Sequence, residues 1–291
     1  MKKLCSLFSL LILLFSCCSS PDLVENNEGR LEIDSVIDSK KDKENKSDSI
    51  GNNDSISNNE DTLHSLTFSI LGNSISTYKG YIPNGYKVYY NENKLKLSET
   101  WWMIYAEATG YKLNRNASWS GSTVTNNSSI NDSYFTSERR LSDLAGETVP
   151  DMIFVLGGTN DWHTAKCPLG LYPSDDLFDK STFRGAYAYL VYQLHKRYPN
   201  TIVFCCSILP RKEGMNVVSS NNDWTITEGN ESIKNLAEYY GAYYVDLSGC
   251  GLDADFTTNT LDGLHPTAKG MRIVANELYK QTNAIINDFY Q

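Results

Sequence analysis

Histidine is scarce in this chain, with four among 291 residues, and none stands at metal-ligand spacing from another His or a Cys. The sequence therefore offers no ligand set for a zinc site. Glycine-rich phosphate loops of the Walker or dinucleotide type are missing too, so nucleotide binding has no support. Positive charge is in short supply. Lys and Arg number 26 against 35 Asp and Glu, a net charge of −9, which argues against a nucleic-acid partner. There are no internal repeats, and after Phe15 no apolar run is long enough to cross a bilayer. Between Cys18 and Leu63 there is no Phe, Trp or Tyr at all.

What is present begins with Lys2 and Lys3 and the mostly apolar run Leu4 to Phe15. That run is too short for a membrane span and has the layout of an export signal. Its end, Leu14-Phe15-Ser16-Cys17, resembles a bacterial lipobox. The resemblance implies cleavage before Cys17 and acylation of its sulfur and new amino terminus, with residues 1–16 as a lipoprotein-type signal peptide. An ordinary secretory signal cut near Ser19, with Cys17 incidental, is the other reading. Residues 17–63 follow as an acidic tether rich in Asn, Ser, Asp, Glu and Lys. Cys18 to Leu63 holds 12 acidic and 5 basic residues, so most of the chain's net negative charge lies there. Such a segment cannot bury enough apolar surface to offset its ordering entropy. It is expected to be a disordered coil spanning roughly 40 Å.

All five Trp and all 19 Tyr lie beyond it, in residues 64–291, a length that makes one domain with ample core. The β-prone run ending at Leu71 reads as a buried strand, as do Asp151 to Leu156, Thr201 to Leu209 and Ala242 to Leu247. Lys112 to Trp119 is a poorer strand pattern. Between them lie helical stripes. Leu97 to Thr109 places Leu97, Trp101, Ile104, Tyr105 and Ala108 on one face. Thr136 to Leu144, Phe183 to Arg197 and Ile226 to Tyr240 read as helices too, and a last helix opens at Pro266. The alternation predicts an α/β fold, a parallel sheet of about five strands with helices on both faces.

Four clusters stand at the ends of these elements: Gly72-Asn73-Ser74, then Trp119-Ser120-Gly121-Ser122, then Gly157-Gly158-Thr159-Asn160-Asp161-Trp162, and finally Asp262-Gly263-Leu264-His265-Pro266. Each alone is ordinary turn chemistry. Loops that follow the strands of a parallel sheet gather on one edge, however, so Ser74, Gly121, Asn160 and His265 can converge there. A serine needs an imidazole to take its proton, and a carboxylate on the other ring nitrogen fixes the tautomer. Asp262 is three positions from His265, close enough for one short turn to hold both.

In this order the clusters resemble the four blocks of the SGNH (GDSL-type) hydrolases, over nearly all of Ser65 to Gln291. The resemblance implies a three-layer α/β/α sandwich of flavodoxin type. It also implies Ser74 as nucleophile, His265 as base and Asp262 as its partner, with Ser74, Gly121 and Asn160 as oxyanion donors and no metal or cofactor. Asn73 stands where the family usually has Asp. Its carbonyl oxygen can still accept a hydrogen bond, so altered detail is expected and not lost catalysis.

The remaining features have plainer readings. His195, before Lys196-Arg197, reads as a solvated helix end, and His163 as a loop residue. Cys167, Cys205, Cys206 and Cys250 are even in number, but the count gives no connectivity. Tyr78, Tyr81, Tyr86, Tyr89 and Tyr90 crowd the loop after Ser74, and Trp119 and Trp162 flank the oxyanion donors. Tyr and Trp faces suit packing and also suit sugar rings, so Asn73, Tyr78, Trp119 and Trp162 are candidates to line substrate. The sequence is read as an exported serine esterase acting on short acyl, above all acetyl, esters of carbohydrate, tied to the membrane only through its lipid anchor. A non-catalytic glycan-binding lipoprotein that keeps the fold, or a lipase or thioesterase, is the alternative.

Overall fold

The sheet is built from strands whose apolar residues alternate, and the alternation decides which helices cover which face. The strands are β1 (Thr67–Gly72), β2 (Lys112–Asn116), β3 (Met152–Leu156), β4 (Ile202–Cys206) and β5 (Tyr243–Val245). Phe68, Ile70, Met152, Phe154, Leu156, Ile202, Phe204 and Cys206 point to one side. There they meet helix α1 (Trp101–Thr109) and the last helix, α7 (Ala268–Tyr290). Leu71, Ile153, Val155, Val203 and Cys205 point to the other side. They pack on α2 (Glu138–Ser142), α4 (Phe183–Arg197) and α5 (Ile226–Tyr240). Two short helices, α3 (Thr159–His163) and α6 (Phe256–Asn259), sit in loops. In this computed structural model, residues 65–127, 132–174 and 177–290 are described. The export signal, Cys17 and the tether lie outside them.

All strand pairs are parallel, in the order β2-β1-β3-β4-β5, which is the flavodoxin-type arrangement. The expected α/β/α sandwich is what forms. The chain leaves β1 through α1 to reach β2 on one side, while β3 lies on the other. Successive connections diverge at the carboxyl ends of β1 and β3, where Gly72 pairs with Leu156. Open α/β sheets place their ligand crevice at such a switch point. Ser74 and the Gly157 to Asn160 turn both follow it directly.

Boundaries differ from the sequence reading where side chains intervene. The Leu97 helix is split: Leu97–Glu99 forms a 3-10 turn, and α1 begins only after Thr100, whose extended backbone and Oγ1 cap the Met103 N–H. Pro266 does not open the last helix. Thr267 does so, its Oγ1 accepting from the Gly270 N–H at 3.3 Å, while Pro266 is bridged to Thr260. The Leu261 N–H donates to the His265 carbonyl at 2.7 Å, and Gly263 adopts φ +86°. Residues 260–266 thus close into a tight loop that ends before the helix and carries His265 out of it. The four cysteines of the domain are free thiols, three of them buried. His195 is partly buried, not solvated as expected, and burial lowers its imidazole pKa. Among the described residues no helix is long and apolar enough to cross a membrane.

Candidate active site

The last residue of β1, Gly72, is a glycine because nothing larger fits. A Cβ there would lie 2.5 Å from the Ser118 Oγ and 2.8 Å from the Ser76 Cβ. The chain then turns into a 3-10 segment, Ser74–Ser76, with Asn73 as its cap. The Asn73 Oδ1 accepts from the Ile75 N–H at 3.0 Å. The turn is pinned from several sides. Trp101 Nε1 donates to the Ser76 Oγ at 3.0 Å, and Asn116 Nδ2 donates to the Ser76 carbonyl at 2.8 Å. The Gly72 carbonyl accepts from Arg140 Nη2 at 2.9 Å and from the Trp119 N–H at 3.0 Å. Ser74 is therefore held on a preformed turn, 4% exposed.

His265 and Asp262 arrive from the loop before α7. The Asp262 Oδ1 accepts from the Leu264 and His265 N–H groups at 3.1 and 2.9 Å, so the carboxylate shapes its own loop. Its Oδ2 accepts from His265 Nδ1 at 2.8 Å. With Nδ1 carrying the proton, Nε2 is free to accept, and the Ser74 Oγ donates to it at 2.8 Å. Ser74, His265 and Asp262 thus stand in one hydrogen-bonded line across 191 residues of sequence. Burial works against the Asp262 charge. The hydrogen bonds from His265, its attraction and the Tyr89 hydroxyl outweigh burial and hold the carboxyl down to about 2. Burial also pulls the His265 pKa below the usual imidazole value, with Asp262 opposing and Lys94 and Arg211 assisting.

The candidate oxyanion donors stand on the loops that follow β2 and β3. Gly121 adopts φ +80° at an exposed turn in which the Ser122 Oγ and N–H donate to the Trp119 carbonyl at 2.7 and 3.2 Å. Asn160 Nδ2 donates to the Ser122 carbonyl at 2.8 Å, so its amide is oriented by the residue next to Gly121. Neither the Ser74 N–H nor the Gly121 N–H meets an acceptor among the described residues. Asp161, fully buried, holds this loop from below. Its carboxylate accepts from the Val124 N–H, the Thr125 N–H and the Thr125 Oγ1 at 2.8 to 2.9 Å. Burial still pushes its pKa up to about 6.

The four residues expected to line substrate are placed otherwise. Trp162 and Trp119 are 2% and 5% exposed, Tyr78 is buried, and Asn73 is buried with its side-chain oxygen engaged by its own turn. Trp119 lies against Tyr86 with ring centroids 4.1 Å apart and planes tilted by 31°, and Arg139 lies over the pair. Trp162 lies under Arg211 at 5.2 Å. Their faces are taken up by protein, so they shape the loops and leave little surface for a ligand.

Three residues that shape the site were not visible in the sequence. Arg140 is fully buried and binds the Gly72 and Ser133 carbonyls. Arg211 Nη1 donates to the Thr159 Oγ1 at 2.8 Å, and the neighbouring Lys212 N–H donates to the Gly263 carbonyl at 2.9 Å. The loop after β4 thereby braces both the Asn160 and the His265 segments. Tyr89 donates to the Asp262 Oδ2 at 3.0 Å. An arginine inside a helical pattern reads as surface charge, and only the crowd of tyrosines after Ser74 hinted at Tyr89.

An α/β sandwich that sets a serine after its first strand, bonded to a histidine that is itself bonded to a carboxylate, is the framework of a serine hydrolase. The sequence profile of the GDSL-like lipase/acylhydrolase family matches residues 66–282. The chain belongs to this family of ester-hydrolysing serine hydrolases. Among solved structures it is similar to a Bacteroides ovatus protein assigned to the GDSL-like lipases. That likeness has 28% identity and a TM-score of 0.58, and covers 76% of this chain and 99% of the other. A second such protein, from Bacteroides uniformis, has 26% identity and a TM-score of 0.59, covering 77% and 98%. A structure from Lactobacillus plantarum, at 22% identity and a TM-score of 0.58 over 76% and 97%, shares the fold. No curated protein matches the chain.

Proposed function

We propose that this protein is an exported, lipid-anchored esterase that removes acetyl groups from carbohydrate, with Ser74, His265 and Asp262 as its triad. The observation that carries the reading is the unbroken Ser74–His265–Asp262 hydrogen-bond line beside two backbone N–H groups with nothing to donate to. The Ser74 Oγ attacks the acyl carbonyl while His265 Nε2 takes its proton, and Asp262 stabilises the imidazolium. The oxygen that becomes negative accepts from the Ser74 and Gly121 N–H groups and from the Asn160 amide. Collapse returns the proton from His265 to the leaving alkoxide and leaves Ser74 acylated. Water, deprotonated by His265, then releases the acid and frees Ser74.

The pocket beside the Asn73–Ile75 turn, bordered by Leu156, Gly157, Ile208 and Leu209, is about 10 Å³, too small to take an acyl chain. The loop after Ser74 presents Tyr81, 45% exposed, and amphipathic tyrosine faces suit sugar rings. The test is a panel of acetylated polysaccharides, long-chain glycerides and acyl thioesters, scored for released acid. Acetate release from a polysaccharide, exceeding hydrolysis of the other two classes, is expected. Preference for long-chain glycerides would overturn the acyl and substrate assignment together.

The anchor rests on the Leu14 to Cys17 motif and the acidic tether. Cys17→Ala should shift the protein from the membrane fraction to the soluble fraction or leave it unprocessed. Unchanged, processed, membrane-bound Cys17→Ala protein would contradict the lipidation site.

A further inference from the structure

Between the Ser74 turn and α1 the chain makes an excursion that returns to the site at Tyr89, Tyr90 and Lys94. Thr77 ties it down: its Oγ1 donates to the Ser74 carbonyl at 2.9 Å and accepts from the Tyr89 N–H at 2.9 Å. The Lys79 N–H donates to the Tyr90 carbonyl at 3.0 Å, and the buried Tyr90 hydroxyl donates to the Pro266 carbonyl at 2.9 Å. On this footing the Tyr89 ring lies flat against the His265 imidazole, with centroids 3.6 Å apart and planes 12° from parallel. Its hydroxyl donates to the same Asp262 oxygen that holds His265 Nδ1. Burial, with the Asp262 charge, pushes the Tyr89 hydroxyl pKa up to about 12, so it remains a donor.

The Lys94 Nζ stands 3.4 Å from the Tyr89 centroid. An ammonium and an imidazole that both lie this close cannot share one face, so Lys94 occupies the face away from His265. A turn holds it there, with the Lys94 and Leu95 N–H groups donating to the Asn91 carbonyl. No carboxylate lies within ion-pair reach of Lys94 among the described residues. The groups facing His265 are Asp262 on its own loop, Tyr89, Tyr90 and Lys94 from the excursion, and Arg211 from the loop after β4. Arg211 is compensated by Glu213, Nη2 to Oε1 at 2.9 Å. Lys94 is the uncompensated cation of the set.

We propose that Tyr89 is a positioning residue that clamps His265 and Asp262 in line, and that Lys94, seated on its outer face, disfavours the charged imidazolium electrostatically. The proposal rests on His265 being the base of the esterase reading. The stack fixes the ring plane and the hydroxyl fixes the carboxylate, so Nε2 stays aimed at the Ser74 Oγ without ordering at the moment of reaction. A base accepts only when neutral. Any influence that lowers the His265 pKa therefore extends activity toward lower pH.

The experiment is an NMR titration of the His265 ring, assigned through His265→Asn, alongside pH profiles of kcat/KM on an acetate ester. Lys94 is exposed, so Lys94→Gln leaves the core untouched. It should raise the His265 pKa and move the acid limb upward with it, while the plateau stays within about twofold. Tyr89→Phe keeps the stack but frees Asp262 from one donor, strengthening its hold on the imidazolium. The limb should again move upward and most of the plateau rate remain. Tyr89→Leu should lower kcat by about 10²-fold through lost alignment, with KM little changed. An unshifted His265 titration in Lys94→Gln, or wild-type kcat in a folded Tyr89→Leu, would overturn the proposal. The titration needs no substrate. A protein whose titration shifts as expected but that hydrolyses no ester would support the cap and contradict the esterase reading.

Discussion

Ser74→Ala is expected to lower kcat on an acetate ester by on the order of 10⁶-fold, the loss found when a triad nucleophile is removed. Residual turnover would come from binding and the oxyanion donors alone. Folding should hardly notice. Among the described residues the Ser74 side chain makes one hydrogen bond, to His265 Nε2, and a single bond of this kind contributes about 1 kcal/mol net. The turn around it is fixed by other atoms: the Asn73 cap, the Trp101 and Asn116 bonds to Ser76, and Arg140 on the Gly72 carbonyl. The paired measurement is steady-state kinetics with thermal unfolding. A large loss of activity with a matched loss of stability would mean that Ser74 matters to the turn and not to the chemistry.

Asn160→Ala carries the second large effect. As a turn residue Asn160 would contribute only its Nδ2 bond to the Ser122 carbonyl, about 1 kcal/mol of stability, and little to rate. As an oxyanion donor it engages an oxygen that is negative only in the transition state. Its removal should then lower kcat by about 10²–10³-fold while KM changes far less. Asn160→Asp should be at least as damaging, because a carboxylate would face both the Ser122 carbonyl and the developing oxyanion. Wild-type activity in Asn160→Asp, or a defect confined to KM, would return Asn160 to a purely structural role. It would leave Ser74 and Gly121 as the donors.

The sheet was legible because its central strands are short, unbroken apolar runs between turn residues. Phe154 and Val155, or Phe204 and Cys205, are adjacent apolar residues that go to opposite faces, as in a strand covered on both sides, and the shortness of the runs sets them apart from helices. The four clusters were legible for a related reason, since each sits where a regular pattern breaks. The supports around them left no such trace. Tyr89 reaches Asp262 across 173 residues and Arg140 reaches the Gly72 carbonyl across 68, and neither contact imposes a local period. Pro266 was misplaced because its helix-start propensity was outweighed by the bridge to Thr260 and the tight loop at Gly263. Trp119 and Trp162 were candidates both for packing and for lining substrate, because sequence position shows proximity to a site but not burial. Asp161 beside Asn160 shows the same ambiguity within one motif, with one residue turned toward the crevice loop and the next locked beneath it on the Val124 and Thr125 N–H groups.

Covalent capture tests the central claim most directly. A serine-directed phosphonate applied to the wild-type protein, Ser74→Ala and His265→Ala would be followed by intact mass and peptide mapping. The wild type should gain one adduct per chain on the peptide carrying Ser74, Ser74→Ala should gain none, and His265→Ala should react far more slowly for want of a base. An adduct on another serine, or labelling of Ser74→Ala at the wild-type rate, would contradict the assignment.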